Sequence, residues 1–94
     1  MMEVFDRSPK TRYEYYRKAR SYEANGQYED ALKAYDKAIE MSENYAHAWF
    51  YKSRLLYRME KYGECIGCAE KARQLEPTWN DHIAKMIEDA KKRL

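Results

Sequence analysis

The sequence predicts an all-α fold, in which antiparallel helix pairs stack as a short α-solenoid of five helices. Two observations predict it. Residues of the same kind recur at a spacing of 34 through most of the 94-residue chain. Within each copy, apolar and small residues lie three and four positions apart, as on one face of a helix. A fixed period of this length is typical of stacked copies of one small unit.

The recurrence keeps the same offset through both copies. The matched pairs are Tyr15 with Trp49, Tyr16 with Phe50, Lys18 with Lys52, Arg20 with Arg54, Tyr28 with Tyr62, Leu32 with Ile66, and Ala38 with Ala72. Because the offset does not change, we expect the two copies to share one two-helix structure and to stack in register.

The first helix is expected over residues 9–25. Ser8 is a common N-cap residue and Pro9 suits the first helical position, so the helix would start there. Gly26 ends it, because glycine readily adopts the left-handed conformation that closes many helices. The inward face of this helix carries Tyr15, Ala19 and Tyr22. Residues 1–8 are expected to form an N-terminal tail.

The second helix is expected over residues 28–42, and the pair recurs as a third and a fourth helix over residues 45–59 and 62–76. The second helix carries its apolar residues at Tyr28, Ala31, Leu32, Tyr35, Ala38 and Ile39. The inward face of the third helix carries Trp49, Ser53 and Leu56. Breaks of only a few residues make consecutive helices antiparallel neighbours.

A last helix is expected over residues 80–93. Thr78 and Asp81 resemble a capping box with aspartate in place of glutamate. The apolar residues of this helix form one stripe, at Ile83, Met86, Ile87, Ala90 and Leu94. Such an amphipathic helix covers the open end of a repeat stack. We therefore expect one domain over residues 9–94, made of repeat one (12–45), repeat two (46–79) and a capping helix (80–94).

The order of large and small residues in each copy resembles the tetratricopeptide repeat. The matching positions are Tyr15, Ala19, Tyr22, Ala31, Tyr35 and Ala38 in the first copy, and Trp49, Ser53, Leu56, Cys65, Ala69, Ala72 and Pro77 in the second. Glu60 and Ala69 depart from the family pattern, which has glycine and an aromatic residue there. The resemblance implies a right-handed solenoid whose first helices line a concave face, and a protein-binding module that is not an enzyme.

The first helix of each pair is basic. Residues 9–24 hold five basic and two acidic residues, and residues 45–59 hold three basic residues and no acidic one, whereas residues 28–43 hold two basic and five acidic residues. With the first helices on the concave face, as the resemblance implies, this distribution predicts a basic groove. The candidate partner-binding residues are Tyr13, Tyr16, Arg17, Arg20, His47, Phe50, Tyr51, Arg54, Tyr57 and Arg58. Asp81, Ala84 and Lys85 would continue this surface on the last helix.

Aromatic and arginine side chains are enriched at protein-binding hot spots. We therefore expect the groove to bind an acidic peptide or partner protein, with rings that anchor apolar side chains and Arg20, Arg54 and Arg58 paired with carboxylates. Two alternatives stay open. Single-stranded RNA would stack its bases on such rings, although a net charge of +2 and an acidic second helix disfavour nucleic acid. A self-assembly module, such as a homodimer, would relieve the marginal stability of two repeats, since such arrays usually need about three.

The sequence contains no catalytic constellation, neither a glycine-rich phosphate loop nor a helical His-Glu zinc motif. Cys65 and Cys68 form one CxxC within the fourth helix. They would supply half a metal site, with His47 and His82 as remote further ligands, and we interpret them instead as packing thiols. We expect no metal and no cofactor.

Three features that the sequence lacks predict the cellular compartment of the protein. No apolar run approaches membrane-spanning length, and the N-terminus lacks the pattern of a secretory signal. Two cysteines are too few for a disulfide framework. These features predict a cytoplasmic protein that does not contact membranes.

Overall fold

A computed structural model describes residues 10–94, and helices account for most of them. The α-helices are α1 (Arg12–Ala24), α2 (Tyr28–Met41), α3 (Ala46–Arg58), α4 (Tyr62–Leu75) and α5 (Asn80–Lys92), with a short 3-10 helix (Pro77–Trp79) before α5. Residues 10–94 contain no strand. For these residues, the all-α prediction with five α-helices is confirmed.

Each helix packs against its neighbour in the chain. α1 packs on α2 and α3 on α4, and the pairs are joined by contacts of α2 with α3 and of α4 with α5. This serial packing is the arrangement of a short helical solenoid, in which each unit contacts only the next.

The start of α1 differs from the prediction. The helix begins at Arg12, and Thr11 has the extended backbone of an N-cap residue. The Thr11 hydroxyl accepts a hydrogen bond from the Glu14 N–H at 3.1 Å, so it satisfies one of the free donors of the first turn. The predicted start near Pro9 is therefore wrong. Residues 1–9, including the predicted cap and the tail, lie outside the described part of the chain.

The start of α5 also differs. Thr78 lies in the 3-10 helix, Trp79 stands at the cap position, and no side chain caps the helix. The predicted capping box of Thr78 and Asp81 is wrong, because the 3-10 turn brings the chain into the helix without an extended residue. The Trp79 N–H donates to the Glu76 carbonyl at 3.0 Å and closes this turn.

The turns inside the two helix pairs have one geometry. Gly26 and Glu60 both have positive φ, 77° and 62°. In the first turn, the Gly26 N–H donates to the Glu23 carbonyl at 3.0 Å and the Gln27 N–H donates to the Tyr22 carbonyl at 2.9 Å. In the second turn, the Glu60 N–H donates to the Tyr57 carbonyl and the Lys61 N–H to the Leu56 carbonyl, at the same two distances. This is the Schellman motif in both pairs.

Small residues let the helices approach closely. Ala19, Ala31, Ala38, Cys65, Ala69 and Ala72 are buried, with Tyr35, Leu55 and Ile83 as the large side chains among them. Ser53 takes the place of Ala19 in the second pair, and its hydroxyl donates to the Phe50 carbonyl at 2.6 Å, so the buried polar group has a partner. Tyr22 and Trp49 pack against the buried clusters, as predicted, although they and Tyr15 are only half-buried.

Candidate partner-binding surface

Aromatic side chains of α1 and α3 form a connected cluster on the side of the solenoid where these two helices meet. The Tyr16 ring lies at its centre, 5.7 Å from Tyr45, 6.3 Å from His47 and 5.6 Å from Tyr51 between ring centres. Tyr13 contacts Tyr16 at 6.3 Å and extends the cluster along α1. Edge-to-face pairs of this kind contribute about 0.5–1.5 kcal/mol each, so the rings hold one another in place.

The same pattern continues from α3 to the 3-10 helix. Phe50 lies 5.3 Å from Tyr51 and 5.8 Å from Trp79. His47 lies 4.9 Å from Trp79. Trp79 was not among the predicted site residues, although it follows Tyr45 by 34 positions and contacts Phe50 as Tyr45 contacts Tyr16. The repeat offset is thus the signal that would have found it.

Two arginines lie over one ring of this cluster. The guanidinium carbon of Arg20 is 4.0 Å from the centre of the Tyr51 ring, and that of Arg54 is 5.4 Å from it. Within residues 10–94, neither arginine forms an ion pair. No carboxylate of residues 10–94 therefore competes with an acidic ligand for these two charges. Burial raises the pKa of Tyr16, against a hydrogen bond with Arg20 that lowers it, so the hydroxyl keeps its proton at neutral pH.

The remaining predicted residues lie at the edges or are engaged elsewhere. Arg17 is 5.9 Å from the Tyr13 ring, at the outer edge of α1. Arg58 pairs with the Glu23 carboxylate at 3.1 Å, so its charge is largely offset. Tyr57 makes an edge-to-face contact with Tyr62 at 5.3 Å. The structure therefore gathers one central set, Tyr16, Arg20, His47, Phe50, Tyr51 and Arg54, which with Trp79 we call the aromatic–arginine surface.

Two adjoining clefts lie between α3 and α5. One has a volume of about 200 Å³ and is lined by His47, Phe50, Tyr51, Trp79 and His82. The other has a volume of about 300 Å³ and is lined by Arg54, Tyr57, His82, Lys85, Met86 and Asp89. His82 borders both, so an extended ligand can occupy them in succession. The first cleft is lined by rings alone, and the second has charged side chains at its rim.

The last helix contributes a different set of residues than predicted. Lys85 lines a cleft as expected, but His82, Met86 and Asp89 do so as well, and Asp81 and Ala84 do not. These lining positions are spaced three, four and seven apart and form one stripe on α5.

The two cysteines lie in the core of the second pair. Cys65 is fully buried and Cys68 nearly so, and both are free thiols. Burial raises the pKa of Cys65 to about 11, and burial also raises that of Cys68. The described residues bring together no group of three or more His, Cys, Asp or Glu side chains that could hold a metal ion.

Comparisons with known proteins agree with the repeat pattern. A family model described as tetratricopeptide repeat matches residues 16–65, which is more than half of the 94 residues. No curated protein matches the chain. In residues 10–94, no helix is both long enough and apolar enough to span a bilayer.

Proposed function

Since the chain belongs to the tetratricopeptide repeat family, whose repeats are generally protein-interaction modules, we propose that it binds an acidic peptide, or an acidic segment of a partner protein, on the aromatic–arginine surface. The observation that carries this proposal is the position of Arg20 and Arg54 over the same ring, Tyr51, beside a cleft lined by aromatic side chains. The family is typically a non-enzymatic scaffold, and the role proposed here is binding without catalysis.

The two parts of the surface recognise two parts of a ligand. A guanidinium group donates two parallel hydrogen bonds to a carboxylate, which makes Arg20 and Arg54 suited to aspartate and glutamate side chains. The ring-lined cleft takes an apolar side chain of the ligand, with Phe50 and Trp79 as its walls. A ligand with an acidic residue close to an apolar one therefore fits this surface better than a uniformly charged one.

The surface needs little rearrangement to bind. Tyr51 is held between Phe50, Tyr16 and the two arginines before any ligand arrives. Side chains that are already ordered lose less entropy on binding, and this raises affinity without new contacts.

The two free thiols fit a reducing compartment, and we propose the cytoplasm as the location of the protein.

Single-stranded RNA is the weaker candidate for the same surface. Rings and arginines suit stacked bases, but a net charge of +2 gives the chain little attraction for a phosphate backbone. Such a backbone carries a charge at every nucleotide and would also meet the Asp89 carboxylate in the cleft that contains Arg54, whereas a peptide needs only one carboxylate there. An acidic peptide can place its own carboxylate on Arg54 and an apolar residue beside Met86.

Selection of random peptides displayed on phage against the full chain tests the proposal. We expect the enriched peptides to combine acidic residues with an aromatic or aliphatic residue. Arg54→Glu should weaken the best of them by about tenfold and reduce the salt dependence of its affinity. Lys91→Glu is the matched control, since it makes the same charge change at an exposed position outside both clefts, and it should leave the affinity unchanged.

The same peptides and protein variants also distinguish acidic-peptide binding from RNA binding and from self-assembly. Peptides without acidic residues, or equal affinity for the protein with Arg54→Glu, would contradict the proposal. Tight binding of an oligouridine with a steep salt dependence would assign the surface to RNA. A mass that doubles with concentration and falls with Arg54→Glu would assign it to self-assembly.

A further inference from the structure

A third cleft lies at the opposite end of the solenoid, on the outer face of α1 and α2. Its volume is about 220 Å³, and it is lined by Tyr15, Lys18, Tyr22, Asp30, Lys33, Ala34 and Lys37. Tyr15 and Tyr22 are half-buried there, and the lysines are exposed. This cleft shares no residue with the aromatic–arginine surface.

The repeat offset shows what this face does in the second helix pair. Adding 34 to Tyr15, Lys18 and Tyr22 gives Trp49, Lys52 and Leu56. In the second pair, these residues form the face on which α2 packs. Within residues 10–94, the same face thus occurs twice, once covered by a helix and once open.

The covered copy shows which contacts hold the helix. The Lys52 ammonium pairs with the Asp36 carboxylate at 2.6 Å. The Trp49 indole N–H donates to the Glu43 carbonyl, just after the end of α2, at 2.8 Å. Leu32 packs against the cluster that contains Leu56.

These contacts define the pattern that a docked helix presents. On α2 the apolar contact and the carboxylate lie at Leu32 and Asp36, four positions apart and therefore on one face. The accepting carbonyl at Glu43 follows seven positions after Asp36, in the turn just beyond the C-terminal end of α2.

The open copy has a residue that can make each of these contacts. Lys18 stands where Lys52 binds the carboxylate, and Tyr22 stands where Leu56 packs on the apolar residue. The Tyr15 hydroxyl is a donor, as the Trp49 indole is. Lys33 replaces the glycine at position 67 and adds a positive charge that the covered copy lacks.

We propose that this open cleft is a second docking site, which binds an amphipathic helix of another protein with an aliphatic residue followed four positions later by aspartate or glutamate. The aliphatic residue packs on Tyr22 and the carboxylate pairs with Lys18. Lys37 pairs with Glu40 at 3.5 Å, but Lys18 and Lys33 still outnumber Asp30 in the lining and favour a helix with an acidic face. The site lets the chain hold two partners at once, one at each end of the stack.

A second copy of this chain is the poorer occupant. Leu32 and its counterpart Ile66 are the apolar residues of the pattern here, and both are already covered in each copy, by α3 and by α5. A second copy would have to release one of its own helices to expose either of these apolar residues. A separate helix carries no such cost.

The chain supplies its own probe for this site. A hydrocarbon-stapled helical peptide with the sequence of residues 28–44 carries the required pattern, and its binding to the full isotopically labelled chain is followed by NMR. The tethered α2 keeps its own place, because its effective concentration is on the order of millimolar. We expect the chemical-shift changes to centre on Tyr15, Lys18 and Tyr22.

Charge reversal tests the ion pair of the site. Lys18→Glu should raise the dissociation constant of the peptide by about fivefold or more, and a peptide with Asp36→Lys should bind this variant better than the original peptide does. Lys91→Glu changes the same charge away from the cleft and should have no effect.

Three results would show that the cleft does not bind such a helix. The first is no shift change at millimolar peptide, and the second is equal affinity for the protein with Lys18→Glu. The third is a shift pattern confined to the aromatic–arginine surface. A chain that dimerises through the cleft, with the dimer lost in Lys18→Glu, would give the site to a second copy and would also overturn the proposed occupant.

Discussion

Gly26 and Glu60 occupy the same backbone position in the two helix pairs, and both adopt a left-handed conformation, with φ of 77° and 62°. Glycine adopts it without strain, whereas a side chain there brings its Cβ too close to the backbone, at a cost of about 1–2 kcal/mol. No atom lies within 4 Å of a Cβ built at Gly26, so the difference between the turns is one of backbone strain and not of space.

Glu60→Gly is expected to stabilise the protein. It should raise the free energy of unfolding by about 0.5–1 kcal/mol, because the strain relieved exceeds the entropy that glycine adds to the unfolded chain. Urea titration followed by circular dichroism measures this change. Gly26→Ala is the reverse control and should lower the free energy of unfolding by a similar amount. A destabilised Glu60→Gly protein would show that the Glu60 side chain makes a contact that outweighs its strain.

Tyr35→Phe is expected to destabilise the fold through Glu23. The fully buried Tyr35 donates its hydroxyl hydrogen to Glu23 Oε1 at 2.9 Å, and Arg58 binds the other oxygen at 3.1 Å. Loss of one donor leaves a carboxylate whose side chain is only 12% exposed with a single partner. We expect a loss of about 1.5 kcal/mol in the free energy of unfolding. Tyr13→Phe, at an exposed ring, should change it by less than about 0.5 kcal/mol; equal effects in the two variants would refute this role.

The sequence sufficed for the features that depend on local pattern. The positions of Gly26 and Glu60 mark both turns, and the spacing of small residues marks the helix faces. The sequence did not predict the start of α1 correctly, because two local capping signals lie close together there. Ser8, which precedes Pro9, and Thr11 are both plausible cap residues, and only the fold shows that α1 begins after Thr11.

Long-range pairing could not be predicted from the sequence. Arg58 was assigned to the partner-binding surface because it continues the basic face of α3. In the folded chain it lies beside Glu23, 35 residues earlier, which binds it. This contact depends on the distance between two helices, and the periodicity of the sequence does not predict that distance. The position of Trp79, by contrast, was within reach of the repeat offset.

The stability of the protein should depend on the thiol of Cys65 at alkaline pH. Burial raises the pKa of Cys65 from 9.0 to about 11, so between these values the unfolded chain loses a proton that the folded chain keeps. This contribution is fully present below about pH 9 and is lost as the pH rises toward 11. Cys65→Ala should be nearly as stable as the wild type at pH 7, since Ala31 fills the equivalent place.

Urea titrations of both proteins at pH 7 and pH 10 test this expectation. The wild type should lose more stability over this interval than Cys65→Ala, and the buried tyrosines contribute equally to both. A companion variant, Cys65→Ser, should be less stable than Cys65→Ala at pH 7, by about 1–3 kcal/mol, because it buries a hydroxyl group. An equal alkaline loss in the wild type and Cys65→Ala would contradict the buried thiol as its source.

Trp79→Ala should weaken peptide binding more than Tyr45→Ala does. The two residues are 34 positions apart and make the same aromatic contact, at 5.8 Å with Phe50 and at 5.7 Å with Tyr16. Trp79 also walls the ring-lined cleft between α3 and α5, whereas Tyr45 lines neither cleft. If the cleft takes the apolar residue of the ligand, Trp79→Ala should cost about 2 kcal/mol or more of binding free energy.

Isothermal titration calorimetry with a peptide selected on the full chain measures both variants. Trp79 also packs against the core cluster of Ile83 and Ile87, so circular dichroism must first show that the variant is folded. Trp79→Phe keeps the contact with that cluster and part of the cleft wall, and should recover most of the affinity. Equal losses for Trp79→Ala and Tyr45→Ala would mean that the rings act only by supporting the fold, and the ligand would then have to bind elsewhere on the chain.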